Sequence, residues 1–436
     1  MRILTADQIR EAENLGILGI ILMENAAIQT VESLKTVFPN LSKRRVGIVA
    51  GKGNNGGDGF AVSRHLTNLG TRTAVYLLTA KEDLSGDART NLDIALKMRI
   101  PVHEIPDIPE LLKLTREIRH QDIIIDAILG TGTNKPVKGF FSEVISFLND
   151  TNSFMLSIDI PSGLQADSGS IPGNHIKADM TVALQSPKIC HYQYPAAASS
   201  GKIVVCDIGI PSSVIEKEEH NIHLITKKRV QNLLHSRNPD AHKGTCGHIL
   251  CISGSTGKGG AAALAGMAAY RAGAGLVTLL VPSSLCNAFE VGIPELMSCP
   301  LPETAEGTIS ENAYQTIMEL SKGKEALLLG PGLTTHGSTS SLVQKLVATL
   351  KIPLVLDADA LNIVASDMSV FKDRKHDTIL TPHPGEMARL CGVQTKQIQE
   401  KRVHYAKKLS KATNTTVVLK GANTVIATDS LFINTT

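Results

Sequence analysis

The sequence predicts an α/β protein built on parallel sheets, with two such units in succession. Three observations carry that prediction. Short apolar runs rich in β-branched residues alternate with stretches at helical spacing along the chain, the pattern of repeated strand–helix–strand units. Many of the runs end in Gly, Asn, Asp or Pro, residues that punctuate strand ends and turns. The length, 436 residues with 42% apolar content, is enough for more than one hydrophobic core.

The elements follow in order. Thr5-x-x-Gln8 has the reciprocal spacing of a capping box and opens a first helix, and Ile20–Phe38 carries apolar residues at helical spacing. Strands are expected at Val46–Ala50, Thr73–Leu78, Asp122–Ile125 and Met155–Ile158. Helices are expected between them at Phe60–Leu69, Asp87–Met98 and Phe141–Leu148. Together these read as a Rossmann-like, doubly wound parallel sheet. After Ile203–Ile208 the chain loosens, and the charge run Glu216–Glu219 marks a connection, so the units are expected at 1–215 and 216–436. In the second unit the strands are His248–Ile252, Val277–Val281, Ala326–Leu329, Pro353–Leu356, Thr378–Leu380 and Thr416–Leu419.

Composition narrows the function classes. With 44 Lys+Arg against 41 Asp+Glu there is no basic bias of the kind a nucleic-acid binder needs. Seven cysteines without a C-x-x-C pair read as reduced thiols and favour a cytoplasmic location. Neither a signal segment nor an apolar run of bilayer length is present, so no membrane association is expected.

Chemistry concentrates in the loops after strands. GKGNNGGDGF (Gly51–Phe60) begins with G-x-G-x-x-G, and its glycines let backbone amides approach an anion where a helix starts. A dinucleotide cofactor clamp also wants an acidic residue about 20 positions later, at the next strand end. Here that strand end is followed by Thr79, Ala80 and Lys81, which weakens the cofactor reading. Asn54, Asn55 and Asp58 offer oxygens suited to a polar ligand or a hard cation. Asp126 and Asp159 each terminate an apolar strand, and either could be a general acid or base. Ligands of open α/β sheets bind beyond the carboxyl ends of strands, so these loops are expected to converge.

In the second unit GSTGKGG lacks the G-K-[ST] ending of a P-loop, because Gly259 follows Lys258. His383, held between two prolines after a strand, reads as a ligand contact. A small-molecule kinase and a nucleotide-binding protein without turnover both remain open on the residues alone.

Several motifs in one order resemble a known family. LTADQ, LMENAA, GKGNNGGDGF, SGDA (Ser85–Ala88), DAILGTG and SIDIPSGL together resemble the NAD(P)HX epimerase domain. The second half, with GPGL, DADALN and TPHPGE, is similar to the ADP-dependent NAD(P)HX dehydratase domain, a ribokinase-like fold. The resemblance covers nearly the whole chain and implies repair of hydrated nicotinamide nucleotides. It implies that Asn54, Asn55, Gly56, Gly57 and Asp58, with Gly130, Thr131, Gly132, Thr133, Asn134, Lys135 and Pro136, contact the hydrate, NADHX or NADPHX. It further implies that Asn55, Asp126 and Ser162 ligate a potassium ion and that Asp159 is the catalytic group at the substrate. For the second unit it puts Ala261, Gly332 and His383 at the substrate and Lys420, Gly421, Ala422, Asn423 and Thr424 at ADP, the phosphoryl donor, with Mg2+ as a companion ion. A homo-oligomer is also expected. The 436 residues stop at Ile433–Thr436, before the G-x-G-D segment with the catalytic aspartate that the family carries. The ribokinase-like domain is therefore read as incomplete, and negligible dehydratase activity is expected from the chain as given.

Overall fold

The computed structural model describes all residues except 14–17, 133–134, 217–221, 235 and 436. Two compact units divide the chain, Met1–Leu224 and Ile225–Thr436.

The first unit is a 7-stranded parallel sheet in the order β3-β2-β1-β4-β5-β6-β7. Its strands are β1 (Arg45–Ala50), β2 (Arg72–Leu77), β3 (Val102–Glu104), β4 (Ile123–Ala127), β5 (Phe154–Ile158), β6 (Met180–Leu184) and β7 (Lys202–Cys206). A short strand β8 (Ile222–Leu224) closes this unit, bridging back through His223 to Arg2. Side chains alternate across a strand, so both faces must be covered when a sheet is parallel. Accordingly Ile48 of β1 and Val75 of β2 join one core, with Leu22, Phe60 and Leu92 from the helices Gly19–Val37, Asn54–Asn68 and Gly86–Lys97. Val49 and Tyr76 join the opposite core, with Leu111 and Ile145 from the helices Ile108–Arg119 and Phe140–Asn149. The capping box expected at Thr5 is formed: Thr5 N donates to Gln8 Oε1 at 2.9 Å, and Gln8 N donates to Thr5 Oγ1 at 3.3 Å.

The second unit contains β9 (His248–Ile252), β10 (Leu276–Pro282), β11 (Met297–Leu301), β12 (Ala326–Leu329), β13 (Leu354–Leu356), β14 (Thr378–Leu380), β15 (Thr416–Leu419), β16 (Val425–Ala427) and β17 (Leu431–Ile433). They lie in the order β11-β10-β9-β12-β13-β14-β15-β16-β17. Pairing is parallel as far as β15 and antiparallel from β15 to β17, so a helix-flanked α/β sheet ends in a short meander.

Two expectations are corrected. The helix after β1 begins at Asn54, not Phe60, so the glycine-rich stretch is itself the first turns of a helix. Glycine is a poor helix former, and crowding explains its use here. A Cβ on Gly56 would lie 1.9 Å from the Gly51 carbonyl oxygen, and one on Gly51 would lie 2.1 Å from the carbonyl oxygen of Ile128. Gly56→Ala is therefore expected to cost about 1–3 kcal/mol of stability or more, as overpacking does, measured as a lower urea midpoint. The second correction concerns Asp126, which lies inside β4 rather than after it, because its carboxylate finds partners on neighbouring segments.

Candidate active site

Strand order reverses between β1 and β4, and ligands in such sheets bind beyond the strand ends at this point. A cavity of about 560 Å³ lies there. Its walls come from the ends of four strands: Asn54, Asn55 and Asp58 after β1, Gly130, Thr131 and Gly132 after β4, Asp159 after β5, and Leu184 and Lys188 at and beyond the end of β6. Arg10 and Lys52 add two exposed cations to the same walls.

The β1 loop contributes in two ways. Gly53 precedes the helix without a side-chain cap, so the first amides of Asn54–Asn68 are left for a ligand, as anion sites at helix N-termini require. Asn55 is 9% exposed, and neither its Oδ1 nor its Nδ2 has a hydrogen-bond partner. A buried amide normally pairs, so these atoms mark a place for a bound group. A Cβ on Gly130 would lie 3.3 Å from the Asn55 Cβ, which puts the β4 loop directly against it.

Asp126 is fully buried and does not line the cavity. Its Oδ2 accepts from Ser157 Oγ at 2.7 Å and Ser162 N at 2.8 Å, and its Oδ1 from Ser162 Oγ at 2.5 Å. Burial pushes this carboxyl above the usual range, against the pull of the Ser162 and Ser157 hydrogen bonds. Ser162 Oγ in turn accepts from Leu129 N at 2.8 Å, tying the β5 loop to the β4 loop. Asp126 and Ser162 thus brace two loops from behind, while Asn55 presents free atoms in front.

Asp159 adopts φ 67°, left-handed and strained for a residue with a side chain. Its Oδ1 accepts from Leu184 N at 3.1 Å and from the ammonium of Lys188. Lys188 is 0% exposed, and Nζ also donates to the Leu184 carbonyl at 3.0 Å. Sequence reasoning missed Lys188. Its signal is QSPK directly after the apolar run Met180–Leu184, the same strand-then-polar-turn grammar as the other loops.

The remaining expected residues fall as follows. Gly56 and Gly57 are buried within the first helix turns, and Lys135 and Pro136 are exposed on the loop after β4. Thr133 and Asn134 lie outside the described residues. In the second unit Ala261 and Gly332 meet: a Cβ on Gly332 would be 3.1 Å from that of Ala261. His383 caps the helix Pro384–Cys391, its Nδ1 accepting from Gly385 N at 3.0 Å. Lys420, Gly421, Ala422, Asn423 and Thr424 form the turn between β15 and β16. Lys420 Nζ reaches Asp357 Oδ1 at 2.5 Å, and buried Arg402 holds the carbonyls of Leu419 and Lys420 at 3.0 and 3.1 Å. Among the described residues no group of three or more His, Cys, Asp or Glu could hold a metal ion, and no helix is long and apolar enough to cross a membrane.

The model of the YjeF-related protein N-terminus matches residues 19–190, and that of NAD(P)H-hydrate dehydratase matches residues 249–436. The chain is 39% identical over 433 residues to the bifunctional NAD(P)H-hydrate repair enzyme Nnr of Moorella thermoacetica, covering 98% of this chain and 82% of that protein. Its counterpart in Thermofilum pendens is 36% identical, covering 96% and 78%. A solved structure of the ADP/ATP-dependent NAD(P)H-hydrate dehydratase from Bacillus subtilis aligns at 31% identity and a TM-score of 0.42, covering 50% of this chain and 73% of that one. On the strength of the sequence relatives, the chain belongs to the family of bifunctional NAD(P)H-hydrate repair enzymes.

Proposed function

We propose that the first unit interconverts the R and S hydrates of NADH and NADPH, and that the second unit serves the ADP-dependent dehydration of the S hydrate. The observation supporting the first half is the cavity at the β1/β4 reversal, where free helix amides, an unpartnered Asn55 and the carboxylate of Asp159 at the end of β5 meet. The amides suit the diphosphate of a nicotinamide nucleotide. The carboxylate of Asp159 suits general acid/base help as the hydroxyl leaves the hydrated ring carbon as water and returns on the other face. In the second unit ADP would phosphorylate that hydroxyl, leaving AMP, and loss of phosphate would restore the reduced ring. Ala261, Gly332, His383 and Lys420 to Thr424 all follow the carboxyl ends of parallel strands, where ligands of such sheets bind, which supports this reading.

The test of the first half is direct. The chain is mixed with pure R hydrate and the epimers are separated chromatographically over time. Approach to the equilibrium mixture is expected, and a composition that never departs from the buffer control would end the proposal. The second half is followed by the near-ultraviolet absorbance of reduced nicotinamide formed from S hydrate in the presence of ADP, and a rise above the ADP-free control would support it and overturn the expectation of negligible dehydration.

The residues at Asn55 fit a potassium ion. Its amide oxygen is buried and has no partner, and Asp126 and Ser162, whose oxygens are bonded to each other and to neighbouring groups behind the cavity wall, would have to exchange those bonds to join it. Such an ion would supply a fixed positive charge near the phosphates. Replacing K+ by Li+ at constant ionic strength is expected to lower the thermal midpoint and slow epimerisation. In Asn55→Ala the midpoint should no longer respond to which cation is present. The seven free cysteines support a cytoplasmic location.

A further inference from the structure

Lys188 stands in the cavity wall although its side chain is fully buried. A lysine with no exposed surface forfeits hydration of its charge and is retained only when paired. Its stem emerges just beyond β6, and its ammonium meets Asp159 Oδ1 after the end of β5 and the Leu184 carbonyl at the end of β6. The arrangement is held from below: His191 Nδ1 accepts from the backbone N of Lys188 at 3.1 Å, and His191 is itself buried. Leu184 N takes a further share of the same Asp159 oxygen. Every hydrogen bond of the Asp159 carboxylate to described residues thus falls on Oδ1, and Oδ2 has no such partner.

We infer that Lys188 is a positioning residue for epimerisation: by binding Oδ1 it fixes the Asp159 carboxylate so that Oδ2 is the oxygen available to the hydrate. The inference rests on the reaction proposed above. The geometry explains why the pair is buried rather than solvated. Without the ammonium the carboxylate would be held by the single bond from Leu184 N, and a loosely held group is a poor proton partner. The ammonium also balances the charge of the carboxylate within an enclosed wall.

The test compares steady-state epimerisation by the full chain with that of Lys188→Met, Lys188→Arg, Asp159→Asn and the double variant Asp159→Asn/Lys188→Met. Lys188→Met is expected to lower kcat by roughly 10- to 100-fold with little change in KM, and Lys188→Arg to recover part of the loss. In the Asp159→Asn background the lysine substitution should change kcat by less than about twofold, because groups acting as one unit are not additive. The double variant buries no charge at this pair and reports even where Lys188→Met fails to fold. A folded Lys188→Met with wild-type kcat would overturn the inference. So would a further tenfold loss in the double variant, which would mean that Lys188 acts on the substrate itself. Absence of epimerisation by the unmodified chain would instead overturn the reaction on which the inference rests.

Discussion

Asp159→Asn is expected to slow epimerisation by about 10²–10⁴, the usual worth of a positioned acid or base, measured as kcat from chromatographic separation of the epimers. Asparagine is the informative replacement. It matches the shape, can still accept from Leu184 N, and tolerates the left-handed backbone at this position better than most residues. What it removes is the charge. Lys188 then faces a neutral amide from a fully buried position, so the variant should also be less stable. Assays well below its thermal midpoint separate the two effects. Unchanged kcat in a folded Asp159→Asn would remove the carboxylate from the mechanism.

The second large effect is on stability in acid. Burial, with the charge of Lys188 as a lesser cause, pushes the His191 imidazole down to about 3. In the unfolded chain it would take up a proton near its ordinary 6.5. The unfolded state therefore binds more protons between these values, and stability rises with pH across that window and falls as the medium is acidified. At about 1.36 kcal/mol per pH unit, this group alone should remove roughly 2–3 kcal/mol between pH 6 and pH 4. His191→Asn keeps an acceptor for Lys188 N and cannot titrate there. Urea midpoints of the two proteins should diverge on acidification, with the variant losing less. Parallel loss in both would show that the imidazole is not held neutral.

Much of this site could be read in the sequence, for a physical reason. A buried parallel strand needs an unbroken apolar run, and the chain must then turn, so VGIVA before GKGNNGGDG and IID before AILGTG announce both the strand and the loop beyond it. Convergence of those loops follows from the sheet order. Helix boundaries were less legible at Asn54, because the glycines there obey the crowding between Gly51, Gly56 and Ile128 rather than their own helix propensity. The strand β6 went unseen although all five of its residues are buried, since it follows the long irregular stretch after Asp159 and breaks the spacing of the earlier elements. Lys188 was lost with it. A lysine beyond a strand ordinarily means solvent, and its burial depends on Asp159, 29 residues earlier. The meander β15 to β17 escaped for a simpler reason: β16 and β17 have 3 residues each, too few to show a period.

Every described residue in the wall of the epimer cavity falls between Ile9 and Lys188, within the first unit. Descent can therefore act on the two reactions separately. A lineage that gains its dehydration from another gene, or tunes it for a different phosphoryl donor, can let the later half of this sequence drift without altering one atom that borders the earlier pocket.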